Sequence, residues 1–236
     1  MRYFKAEQNR KKLIKNTIMK ADYIENKDEI VIKKSGIISL EKLYKMLELE
    51  TASDCIDVKS NAGLLYRKIS KEIADTIPTQ RGFYLWGNFN EKNFWTNIYL
   101  GKSGEGKITS LKQRILEELR DERAFIVKHF HTEDEIKAKS SLAFPIMWEK
   151  KYHKELPRNL KKYGTTHIVW VTFEMTDNKI IEEVENDLIE SINPISNIRR
   201  TTPPTHLNEE TINILKEFRS NIHQERQDLN FKFNMI

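Results

Sequence analysis

The chain has 236 residues, 40 of them basic and 35 acidic, for a formal net charge of +5; 39% are hydrophobic and 32% charged. That supplies one core under a wet surface, in one large domain or a small one with additions, and the positive excess favours polyanionic partners. A single cysteine, Cys55, excludes an intrachain disulfide and a cysteine-based zinc finger and fits a reducing, cytoplasmic setting. No apolar run approaches the ~18 residues of a membrane span, and Met1-Arg2-Tyr3-Phe4-Lys5 lacks the apolar core of a secretory signal.

Residues 1–75 read as a helical, basic N-terminal arm. Arg10, Lys11, Lys12, Lys15 and Lys20 cluster among sparse apolar partners. A short strand is expected over 29–33, and Ser39 marks a helix start before 40–47. The arm is either a packing appendage with a solvated face or a clasp for DNA or for a second copy. Residues 80–200 form the core. Strand-like runs at 83–86 and 97–100 flank the turn formers of 88–93, which predicts a hairpin. A helix follows near 109–121. An insertion at about 122–165 carries Trp148 and the basic run Lys150, Lys151, Lys154, Arg158, Lys161 and Lys162. The run 167–173 is the strongest strand signal in the chain. Asn178 is the expected cap of a helix over 179–192. Pro203-Pro204 then break the chain, and a C-terminal extension, 201–236, holds a helix from about 207 to 227. The expected class is α+β, a small mixed or antiparallel sheet flanked by helices.

Strand alternation places Tyr84 and Tyr99 on one side of the hairpin, opposite Phe83, Leu85 and Leu100, and the aliphatic side should face the core. Both phenols would then project to an open side. Gly82 and Gly101 at the strand ends would allow a ligand close to the backbone. Lys102 is a cation beside those phenols. Arg114 flanks the stripe Leu111, Ile115, Leu119 and offers a planar fork suited to phosphate, or else pairs with Glu118 four residues on. Glu185 falls inside the apolar arc Ile181, Val184, Leu188, Ile192, where an acid needs a partner. That partner is a divalent cation held by oxygen, or Arg114 or Lys102 in an ion pair.

The segment 101–107, Gly-Lys-Ser-Gly-Glu-Gly-Lys, also fits the spacing of a phosphate-binding P-loop. Ile108 stands where magnesium binding needs Ser or Thr, which makes nucleotide binding the lesser alternative.

Gly82-Phe83-Tyr84, Tyr99-Leu100-Gly101, Arg114 on its helix, and Glu185 followed by Pro194 and Asn197 resemble, in order and local spacing, the GIY-YIG nuclease family, most of all its restriction endonucleases. The resemblance covers about 82–101, 111–116 and 181–200. It implies a GIY-YIG core that hydrolyses DNA phosphodiester bonds with one divalent metal, magnesium or manganese. Tyr84 would be the general base or position it, and Tyr99 would hold the water or the phosphate. Arg114 would stabilise the phosphate charge, Glu185 would hold the metal, and Asn197 would brace the site. Many members carry histidine or tyrosine one turn after the arginine, where this chain has Glu118. A homodimer would cut both strands of double-stranded DNA, with the basic insertion and Arg199 and Arg200 contacting phosphates. The alternative is a DNA-binding module of the same fold without activity.

Overall fold

Four segments rich in β-branched and aromatic residues pair into one antiparallel sheet. The computed structural model describes residues 29–49, 59–104, 110–120, 165–174, 177–194, 197 and 207–233. Among these lie β1 (Val31–Ser39), α1 (Glu41–Leu49), α2 (Asn61–Asp75), β2 (Arg81–Phe89) and β3 (Trp95–Lys102). They are followed by α3 (Leu111–Arg120), β4 (His167–Glu174), α4 (Asn178–Ile192) and α5 (Glu209–Phe233). The strand order is β1-β4-β2-β3, every neighbouring pair antiparallel. The class is therefore α+β, with a four-stranded antiparallel sheet and five helices among the described residues.

Both faces of the sheet are covered. Tyr84 and Trp86 pack on one face with Leu40, Leu43 and Met46 of the α1 segment, Tyr66 and Ile73 of α2, and Leu111, Ile115 and Leu119 of α3. Phe83, Leu85, Leu100, Val169 and Val171 face the other way, against Ile181, Val184 and Leu188 of α4 and Ile214 and Phe218 of α5. A central strand buried on both sides has no wet face. The burial of β2, continuous from Gly82 to Phe89, follows from its place between β4 and β3.

Local chemistry sets the element ends. Ser39 Oγ accepts from the Glu41 amide at 3.2 Å, so the expected helix start is present. Ser60 caps α2 through the Gly63 amide at 2.8 Å. The expected cap of α4 is displaced by one residue: Asp177 accepts from the Lys179 amide at 2.8 Å, and Asn178 is the first helical residue. A preceding carboxylate satisfies the free amides and the helix dipole together. In the β2–β3 hairpin, Asn90 Oδ1 accepts from the amides of Lys92 and Phe94 at 2.9 and 3.0 Å, and Asn93 takes φ 56°.

The sequence set residues 1–75 apart as an arm, but its described part is woven into the fold. β1 is longer than the five residues expected and pairs with β4 along its length, while α1 and α2 cover the Tyr84 face. Among the described residues no helix is long and apolar enough to cross a membrane. The basic insertion residues Lys150, Lys151, Lys154, Arg158, Lys161 and Lys162, with Arg199, Arg200 and the loop 105–109, lie outside the described residues.

Candidate active site

The site residues flank β3, an edge strand, in two groups on opposite faces of the sheet. Tyr84 pairs across the hairpin with Gly101, and Tyr99 with Trp86, so both phenols do share a face. Their ring centroids are 6.3 Å apart. That face is not open, as alternation alone suggested: Tyr84 is 0% exposed, and only Tyr99 remains partly accessible. The reason is the helical cover of α1–α3. The two glycines serve the core as well. A Cβ at Gly101 would collide with the Tyr84 phenol, and one at Gly82 with the Val171 carbonyl and a Leu111 methyl. Their bareness makes room for the protein itself, not for a ligand.

Helix α3 brings Arg114 and Glu118 to the buried phenol. Tyr84 Oη donates to Glu118 Oε1 at 2.5 Å, and Arg114 Nε donates to Tyr84 Oη at 3.2 Å. A guanidinium nitrogen of Arg114 lies 3.0 Å from Glu118 Oε1. Glu118 is 4% exposed. The sequence offers it as the intrahelical partner of Arg114, or as an acid-base or supporting group in place of histidine. Yet it lies three residues past Ile115 and seven past Leu111, on the apolar stripe, which is the signal that singled out Glu185.

Electrostatics follow from burial. Tyr84 is pushed well above the ordinary phenol range by burial, then by the Glu118 charge, and Arg114 opposes both. Tyr99 is pushed up to about 12, first by burial and then by Glu118, with Glu185 adding and Arg114 opposing. Burial works against the Arg114 charge, but Tyr84 and Glu118 more than offset it and hold the group above its ordinary range. Both phenols therefore carry their protons at neutral pH, and Arg114 is a fixed cation.

A raised phenol pKa favours the neutral form in the fold. The stability Tyr99 contributes is full below about pH 10 and is lost as the pH rises from 10.0 towards about 12. Thermal melts across that window should fall more steeply for the wild-type chain than for Tyr99→Phe. Parallel curves would contradict the assignment.

On the other sheet face, Lys102 pairs across the hairpin with Phe83, and its ammonium lies 3.1 Å from Glu185 Oε2. Glu182 stands at 4.0 Å. Side-chain exposure is 10% for Lys102 and 21% for Glu185. The acid on the apolar arc of α4 has thus taken the ion pair as a partner. The place already holds a cation between two carboxylates, which is the chemistry a hard divalent ion requires. Among the described residues no group of three or more His, Cys, Asp or Glu side chains could hold a metal. A metal here would rest on Glu185, with water and substrate oxygens completing its shell.

Asn197 does more local work than bracing. Its Nδ2 donates to the Leu100 carbonyl at 2.8 Å, and its Oδ1 accepts from the Leu100 amide at 2.8 Å. One carboxamide thus imitates a neighbouring strand and satisfies the free edge of β3 at Leu100. Asn197→Ala should cost about 1–2 kcal/mol, read from the denaturant midpoint. An unchanged midpoint would show that the edge is satisfied by other means.

Tyr99 thus lies between two clusters, Tyr84–Arg114–Glu118 on one sheet face and Lys102–Glu185 on the other. No protein-family model matches the sequence, and neither the comparison with curated proteins nor that with solved structures found a match.

Proposed function

We propose that the protein is a metal-dependent DNA endonuclease with a GIY-YIG-type core, acting as a homodimeric restriction-type enzyme. The observation that carries this reading is the position of Tyr99 on an edge strand, close enough to Arg114 and Glu118 on its own sheet face and to Glu185 beyond it to feel the charge of all three. A guanidinium with fixed charge, oriented by one hydrogen bond and one ion pair, is suited to neutralise a phosphate that gains charge during hydrolysis. Tyr99, the accessible phenol, holds the attacking water or a phosphate oxygen. Tyr84 is a positioning residue: it orients Arg114 and connects the site to Glu118. Glu185 would hold the magnesium or manganese ion, which supplies stabilisation of the leaving oxygen when bound. Lys102 neutralises Glu185 until then. One such site cuts one strand, so two copies related by a two-fold axis would cut both.

A second reading has its own support. The burial of Tyr84 and the pairing of Glu185 with Lys102 also suit a DNA-binding module without hydrolysis. Incubating a defined plasmid with magnesium and mapping the fragment ends separates them. Discrete ends on both strands support the restriction-type enzyme, and random ends leave a nonspecific nuclease. An intact plasmid that is still bound assigns the binding module and defeats the proposal.

A further inference from the structure

A cavity of about 300 Å³ opens between the β2–β3 hairpin and helices α4 and α5, on the sheet face away from the phenols. That size lies at the lower end for small-molecule sites. Its floor is apolar: Leu85, Leu215 and Phe218 are buried there, and Ile222 is half-buried. One wall is the Trp95 indole, and that wall is built rather than loose. The ring lies over Gly87, where a Cβ would collide with it. It meets Phe89 edge-on at 4.9 Å, and its N–H donates to Asn97 Oδ1 at 2.7 Å. Asn97 is fixed in turn by donating to the Ile192 carbonyl at 3.1 Å.

The rim is cationic. Arg219, His223 and Arg226 follow one another along the exposed side of α5 and line the opening. Arg226 lies over the Phe94 ring at 5.0 Å, and His223 Nε2 is 2.9 Å from Gln227 Nε2. Among the described residues neither Arg219 nor Arg226 forms an ion pair, although both sit on a helix that also carries acids. Glu225 turns instead to His167 at 3.5 Å, and Asp228 to Gln224 at 3.1 Å. The cavity thus offers an aromatic wall, an apolar floor, and at its mouth two guanidinium groups that form no ion pair among the described residues.

We infer that this cavity binds a planar aromatic ring carrying an anionic group, of the size and chemistry of a nucleotide, with the ring against Trp95 and the anion on Arg219 and Arg226. Stacking on a fixed indole gives the ring its hold, and guanidinium forks suit phosphate oxygens. The ligand is either a free nucleotide or one nucleotide of a single strand. The inference does not depend on hydrolysis at the phenol site.

Calorimetric titration of the full chain in magnesium-free buffer tests it, with AMP, adenosine, inorganic phosphate and a short oligodeoxyadenylate as separate probes. AMP should bind at least about tenfold more tightly than adenosine or phosphate alone. The double variant Arg219→Ala, Arg226→Ala should bring AMP to the level of adenosine and leave adenosine unchanged. Ser191→Trp, at an exposed lining position, should fill the opening and abolish both while the thermal melt stays put. Binding of the oligonucleotide alone, lost in Ser191→Trp, also supports the site and identifies a single strand as the source. Equal affinity for AMP and adenosine, indifference of every probe to Ser191→Trp, or no heat with either nucleotide probe would overturn it.

Discussion

Arg114→Ala should destabilise the fold by about 2–3 kcal/mol and abolish DNA cleavage. The variant removes the guanidinium that lies 3.0 Å from the Glu118 carboxylate, a group 4% exposed and hydrogen-bonded to a buried phenol. Breaking a fully buried pair costs roughly 3–5 kcal/mol. The lower figure reflects the 36% exposure of the Arg114 side chain, since solvent screens part of the interaction. Burial and ion pairing can be separated from chemistry by a triple variant, Tyr84→Phe, Arg114→Met, Glu118→Leu. It leaves none of these polar groups unpaired, so most of the stability should return while cleavage does not. A triple variant that folds well and still cuts would remove this cluster from the mechanism. If Arg114→Ala kept its full denaturant midpoint, the electrostatic account of the α3 face would fail.

Glu185→Ala should show the opposite profile: cleavage falls by about a thousandfold or more, and stability changes by less than about 1 kcal/mol. Glu185 sits at the rim, and Lys102 keeps a second carboxylate, Glu182, within reach at 4.0 Å. The variant therefore strands no charge, yet it removes the oxygen donor that a hard cation would need. Plasmid cleavage over a magnesium series, beside a thermal melt, reads both quantities. Full activity with unchanged magnesium dependence would take Glu185 out of the site.

Much of the scaffold was legible because it follows from short-range rules. The 83–86 and 97–100 runs, the Asn-rich turn between them, the strand at 167–173 and the 3.6-residue stripes of α3 and α4 all carry period and punctuation in their own residues. The pairing of Tyr84 and Tyr99 on one face was legible by alternation. What covers that face was not, because it depends on where α1 and α2 pack, and their sequences read as charged surface helices. β1 was read short for a related reason. Its Lys33, Lys34 and Ser35 look like a strand end, and only pairing with β4 draws the segment on to Ser39. Glu118 shows the limit most clearly. A carboxylate on an apolar stripe announces that it needs a partner, but the identity of that partner, a phenol 34 positions away, is a property of the packed sheet.

The sheet order also constrains how the chain acquires its shape. β4 sits between β1 and β2, although more than forty residues separate the end of α3 from its start. Among the described strands only the β2–β3 hairpin can pair early during synthesis; both long-range ladders wait until β4 has left the ribosome. Until then β1 and β2 each keep an unsatisfied side, and many native contacts span well over a hundred positions. High contact order of this kind slows folding and prolongs exposure of strand edges, so recovery after dilution from denaturant should be slow and sensitive to protein concentration.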